Sequence, residues 1–119
     1  MKLHPWLLVP AALALLALLA FARPAVAQSL GEPRRFELVR LVRQDCGSCH
    51  GMRLTGGLGP ALTRDALAGK PLDGLAATIS HGRRGTPMPG WNAMLSESEA
   101  LWIAEQLMLG FPDEARARR

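Results

Sequence analysis

The sequence predicts an all-α fold built as one small domain. Three observations carry that expectation. Apolar residues recur at helical spacing in the segments Arg34–Asp45 and Leu101–Met108. The second of these runs follows a complete helix-start signal. No stretch alternates apolar and polar residues as a strand does, and no internal repeat is present.

The opening segment stands apart from the fold. Lys2 and His4 make a short polar start, Trp6 to Ala22 is apolar and uncharged, and Arg23-Pro24 breaks the run. Ala25-Val26-Ala27 then offers small residues on either side of a cleavage point. This anatomy is that of a secretory signal, residues 1–27, removed to leave residues 28–119 as the exported domain with an ordered core of about 34–111. The competing reading is an uncleaved anchor facing the periplasm. With Pro10 inside it, the apolar run sits at the short limit for spanning a bilayer. After cleavage the domain would reside in the periplasm with no stable membrane insertion.

Within the domain, Gln28 to Pro33 reads as a loose start. Phe36, Leu38, Val39 and Val42 give Arg34–Asp45 a helical face that leads straight into a pair of cysteines. Gly51, Gly56, Gly57 and Gly59 make the next stretch a loop. Thr63-Arg64-Asp65 starts a short turn ending at Gly69, and Asp73–His81 is a helix stopped by Gly82. Gly82 to Asn92 is a Gly/Pro loop. Ser96 and Glu99 form a capping box, Leu101, Trp102, Ile103, Leu107 and Met108 follow at helical spacing, and Gly110 and Pro112 end the chain's last helix. Asp113–Arg119 reads as a disordered charged tail.

Composition narrows the function classes. A domain of this size buries a modest share of its surface, and its aromatic residues are only Phe36, Trp91, Trp102 and Phe111. That leaves room for a large buried cofactor. The net charge of +4 includes Lys2 and Arg23, which depart with the signal. Basic residues such as Arg34, Arg35, Arg40, Arg43, Arg83 and Arg84 are scattered and not interleaved with aromatics, so nucleic-acid binding has no support.

Chemistry concentrates in Cys46-Gly47-Ser48-Cys49-His50, a C-x-x-C-H sequence of the kind that attaches c-type haem. On a helical turn the two cysteines and the histidine share a face, so both sulfurs reach the two vinyl groups of one porphyrin and the imidazole falls under the iron. A disulfide over so short a loop would stabilise little. A thioredoxin-type C-x-x-C wants a strand before it, where this chain has a helix. A structural zinc site needs four ligands, and no second Cys/His pair stands at zinc spacing. The second axial ligand is less determined. Met52 lies too close to His50 to reach the opposite haem face, and Met108 falls on the apolar face of the last helix. Met88, flanked by Pro87 and Pro89, is the favoured ligand, with Met94 as runner-up and His81 able in principle to replace it. Trp91 closes the same loop and joins the expected haem-pocket residues. Ser48 and Ser96 have no histidine partner visible in the sequence, which points to a carrier and not an enzyme.

These features resemble class I cytochrome c over nearly all of the mature chain: C-x-x-C-H-G near the start, Gly59-Pro60-Ala61-Leu62 in the middle, Met88-Pro89 in a late loop, and a closing amphipathic helix. The resemblance implies that the Pro60 carbonyl accepts the ring N–H of His50 and that Leu62 packs on the haem. It implies that the first and last helices cross, setting Val39 and Val42 against Trp102 and Ile103. Trp102 takes the place where the family often has tyrosine. The runs "DCGSCHGMRLTGGLGPAL", "GTPMPGW" and "LSESEALWI" are most similar to the NirC-type periplasmic cytochromes of dissimilatory nitrite reductase clusters. That likeness implies electron exchange with a cytochrome cd-type nitrite reductase, or a part in haem d assembly. Docking would use the exposed haem edge, with Arg53, Arg83 and Arg84 as rim residues. Two other classes stay open at this point: a haem protein that binds or senses nitric oxide at a labile distal site, and a haem subunit held permanently in a complex, for which an apolar patch around Leu107, Leu109 and Phe111 would be the sign.

Overall fold

A computed structural model describes residues 30–113; the expected signal segment 1–27 and the tail beyond Asp113 lie outside the described residues. Among the described residues every regular element is helical. Helix α1, Glu32–Leu41, begins two residues earlier than its apolar pattern suggests, because Pro33 fits the first turn, where an amide has no partner to lose. It continues without a break into a π-helical stretch, Val42–Cys46, and then α2, Gly47–His50. A single rod thus delivers both cysteines and the histidine. The wider π turn inserts one residue into the register between the core face of α1 and the cysteine face of α2.

Thr63 caps α3, Arg64–Leu67, by accepting the Ala66 amide through its hydroxyl. Helix α4, Leu72–His81, ends at Gly82, whose φ of 71° supplies the left-handed turn expected there. Helix α5, Glu97–Leu109, opens on the expected box: the Glu99 amide donates to the Ser96 hydroxyl, and Glu99 Oε2 accepts the Ser96 amide at 2.8 Å. None of the described helices is long and apolar enough to cross a membrane.

The core joins the two ends of the domain. Leu38 and Val42 from the N-terminal rod share one buried cluster with Ala100, Ile103, Ala104 and Leu107 of α5, and Leu54, Leu67, Ile79 and Leu95 complete it. Trp102 and Met108 pack at its edge, Met108 as the core residue its position suggested. One pairing differs from the sequence reading. Val39 is buried but is not a member of this cluster; Leu38 occupies the place assigned to it, one position earlier on the same helix. Fully burying a side chain such as Ile103 contributes about 1.5–3 kcal/mol, so this cluster dominates the attachment of α5 to the rest of the domain. Polar contacts follow the same route. Arg34 bonds Glu99, and Arg43 Nη2 donates to the carbonyls of Phe111 at 3.0 Å and Pro112 at 2.9 Å while its guanidinium lies 5.4 Å from the Phe111 ring centre.

Candidate haem site

The site is built from the rod outward. Cys46 is half-buried and Cys49 exposed, and no disulfide joins them. Burial pushes the Cys46 thiol up to about 11, with Asp45 beside it adding to the shift. Such a cysteine is neutral at neutral pH, unlike the activated thiolate of a redox C-x-x-C. No group of three or more His, Cys, Asp or Glu side chains converges among the described residues, so the zinc reading gains no geometry.

His50 is buried, and its orientation is fixed from two sides. Its Nδ1 lies 2.7 Å from the Pro60 carbonyl oxygen. A carbonyl only accepts, so Nδ1 carries the proton and donates it, which leaves Nε2 with the lone pair a metal needs. The second constraint was missed in the sequence. A Cβ on Gly59 would sit 2.7 Å from both Cε1 and Nδ1 of the imidazole, so only glycine lets the backbone lie against the ring. The loop holding Gly59 is pinned to the motif itself: the Gly56 amide donates to the His50 carbonyl at 2.8 Å, and the Gly59 amide to the Cys49 carbonyl at 2.8 Å. These bonds satisfy carbonyls that the end of α2 leaves open. Leu54 adopts φ 61° in this loop, a conformation that costs a non-glycine residue about 1–2 kcal/mol. Its near-complete burial and the 2.8 Å bond from the Leu62 amide to its carbonyl offset that cost.

The loop carrying Met88 is organised differently. Arg83 donates its amide to the Met88 carbonyl at 3.2 Å, and the Met88 amide meets the Thr86 hydroxyl at 3.3 Å, while that hydroxyl donates to the Arg83 carbonyl at 2.7 Å. The Trp91 and Asn92 amides fasten the far side to the carbonyls of Ile79 and Ser80, both at 3.1 Å. Met88 is half-buried, as are Leu62 and Trp91, which pack against the core cluster. Met94 and Met52 are 60% and 62% exposed, and His81 is exposed, so none of the three is held as Met88 is.

Together, a fixed imidazole with a free Nε2, a glycine cradle under it, two cysteines on the adjacent turn and half-buried Leu62, Met88 and Trp91 fit a haem. A helical fold with this motif defines the class of c-type cytochromes. The Cytochrome C oxidase, cbb3-type, subunit III family model matches residues 37–106. Cytochrome c55X of Stutzerimonas stutzeri is 55% identical over 84% of this chain and 88% of its own length. Cytochrome c55X of Pseudomonas aeruginosa is 52% identical over 82% of this chain and 83% of its own. The solved structure of the c-type cytochrome NirC superposes with a TM-score of 0.66 at 52% identity, covering 67% of this chain and 94% of that one. The chain belongs to the c-type cytochromes, and within them to the NirC type. Membership implies a covalently bound haem c and a role in electron transfer.

Of the three residues an apolar patch would use, Leu107 is buried, Phe111 is half-buried with its ring beside the Arg43 guanidinium, and Leu109 is exposed.

Proposed function

We propose that this protein is a periplasmic single-electron carrier with one haem c attached through Cys46 and Cys49, its iron held by His50 on one side and Met88 on the other. The observation that carries the reading is the His50–Pro60 hydrogen bond made against the bare backbone of Gly59. An imidazole so fixed has one nitrogen committed to the protein and the other directed to a metal. When bound, haem supplies the one-electron iron couple. The chain's own residues set its conditions. Pro60 keeps the Nδ1 proton in place, Leu62 and Trp91 cover apolar surface, and the Met88 loop holds a thioether whose ligation raises the potential and closes the sixth position.

The protein is a carrier, not a catalyst: no step of bond making falls to its side chains. Its likeness to NirC and to cytochrome c55X supports exchange with a cytochrome cd-type nitrite reductase, or a part in haem d assembly, through transient docking. Export through a cleavable signal, residues 1–27, places the domain 28–119 where both the attachment chemistry and these partners reside.

The test is an absorption spectrum of the periplasmically expressed protein, oxidised and reduced, beside Met88→Ala. The wild type is expected to show a weak far-red band from sulfur–iron charge transfer that the variant loses, together with a lower reduction potential. A wild type without that band, binding carbon monoxide readily, would have an open distal site, and the nitric oxide reading would replace this one.

A further inference from the structure

Arg43 sits in the π turn of the N-terminal rod, three residues before Cys46, and its side chain reaches two other parts of the chain. Nη2 donates to the carbonyls of Phe111 at 3.0 Å and Pro112 at 2.9 Å, beyond the end of α5. Nη1 donates to the Met52 carbonyl at 3.4 Å, and the guanidinium carbon lies 5.4 Å from the centre of the Phe111 ring. Gly110, at φ 92°, lets the chain turn after α5 into this contact. A guanidinium suits the task because its donors project in a rigid plane, so one group meets several fixed carbonyls while its face rests on a ring. A lysine ammonium, a point charge on a flexible stem, does not reproduce that fork.

The Met52 end of this contact lies at the entrance to the loop that holds the imidazole. Met52 follows His50 by two residues, with Gly51 between them at φ 85°, where a Cβ would lie 2.6 Å from the Gly56 carbonyl oxygen. Met52 also packs back on the attachment turn: a Cβ on Gly47 would meet its Cα at 3.4 Å and its sulfur at 3.5 Å. Beyond it the Leu54 amide bonds the Gly51 carbonyl at 2.7 Å, and the Gly56 and Gly59 amides return to the carbonyls of His50 and Cys49. Pro60 then meets His50 Nδ1. The path from the Met52 carbonyl to the Pro60 carbonyl is main chain closed by short bonds, so a shift at its start is passed to its end.

We propose that Arg43 is a positioning residue for the proximal ligand: by gripping the Met52 carbonyl and the segment after α5 in one fork, it sets the loop that orients His50, so that the seating of Phe111 and Pro112 is felt at the imidazole. The inference rests on His50 being the iron ligand. Arg43 makes no contact with the ring and acts only through the main chain between Met52 and Pro60. The bond from Nδ1 to the Pro60 carbonyl raises the basicity of Nε2. Loosening the fork weakens that bond, makes Nε2 a poorer donor and favours the ferrous state, so the reduction potential rises.

The experiment is proton NMR of the reduced holoprotein with isotopically labelled histidine, together with its reduction potential. Solvent exchange of the His50 Nδ1 proton is divided by that of the Ile103 amide, buried in α5, so that a loss of overall stability cancels. Three variants that conserve net charge are compared: R43K removes the fork, F111A removes the ring beside it, and S96A loosens α5 from its other end. R43K is expected to raise the ratio by about tenfold and F111A by about threefold, each with a higher potential, while S96A leaves ratio and potential as in the wild type. An unchanged ratio in R43K would make Arg43 a merely structural clasp and overturn the proposal. So would a raised ratio without a raised potential, which would report solvent access and not ligand basicity. An equal rise in S96A would overturn it too, in favour of general loosening of α5. F111A leaves every residue of the rod and the loop in place, so it decides the matter if R43K fails to mature with haem, and an unchanged ratio there is again a refutation. Ring protons of His50 without the ring-current shift of a haem ligand, in the wild type, would mean that the proposed ligation itself fails, which is read before any variant is compared.

Discussion

The two glycine-rich loops look alike as sequence and do opposite things as structure. The loop from Gly51 to Leu62 folds back on the attachment motif, donating amides to the carbonyls of Cys49 and His50 and setting Gly59 and Pro60 against the imidazole. It is a rigid mount made almost wholly of main chain. The loop from Gly82 to Asn92 is fastened to the end of α4, through the carbonyls of Ile79 and Ser80, and presents side chains outward from a short closed turn. The first loop therefore determines whether there is a competent proximal ligand at all. On the proposed reading the second brings Met88 to the haem from the other side.

Substitutions can break the comparison in order of expected effect. Gly59→Ala should be the most damaging, because its Cβ has no room beside the ring and the His50–Pro60 bond must give way. A destabilisation of about 1–3 kcal/mol is expected from overpacking, with loss of low-spin proximal ligation; thermal unfolding and the reduced spectrum measure both. Gly82→Ala should cost a comparable amount, about 1–3 kcal/mol, since the residue must hold positive φ and its Cβ meets main-chain atoms of Met88, Pro89 and Gly90. Its signature differs: the far-red band weakens while haem attachment and proximal ligation persist. If both variants gave the same spectrum, the two loops would not be independent mounts.

Two smaller effects sharpen the contrast by lying outside both loops. Ser96→Ala removes the cap of α5 and should cost about 1 kcal/mol in chemical denaturation with no change in the haem spectrum. The pair Arg34–Glu99 should confer a pH dependence smaller still. The bond to Arg34 holds the Glu99 carboxyl below its ordinary range, with the Ser96 contacts acting the same way. A carboxylate whose folded value is depressed stabilises above its unfolded pKa, and that stability disappears as pH falls through the folded value. Arg34→Ala should therefore lower the urea midpoint by a small amount at neutral pH and flatten its acid limb, and the pair's partial exposure keeps the effect to a few tenths of a kcal/mol.

Much of this was legible in the sequence where the signal is local. Ser96 with Glu99, and Gly82 and Gly110 as stops, depend on single residues whose backbone chemistry has few alternatives. The C-x-x-C-H turn was equally readable, because its spacing is itself the geometry. What was not legible depends on where distant backbone ends up. The glycines of the first loop were readable as a loop, but nothing in the sequence says which one faces an imidazole; that is set by the Gly59 amide reaching the Cys49 carbonyl. The π turn at Val42–Cys46 leaves no compositional trace, since it reconciles the packing of Leu38 and Val42 with the direction of Cys46. Leu54 at positive φ is invisible for the same reason, as burial and two backbone bonds overrule a leucine's preference. The clasp of Arg43 on Phe111 and Pro112 joins segments far apart in the chain, and no pattern announces it.

The central claim is that the haem iron lies between His50 Nε2 and the Met88 sulfur. The most direct measurement is a proton NMR spectrum of the reduced holoprotein with its methionine methyl groups isotopically labelled. One methyl should appear far upfield in the ring current of the haem, alone among the mature chain's methionines, and should vanish in Met88→Ala while Met94→Ala leaves it in place. An upfield methyl that disappears with Met94, or no shifted methyl in the wild type, would contradict the account.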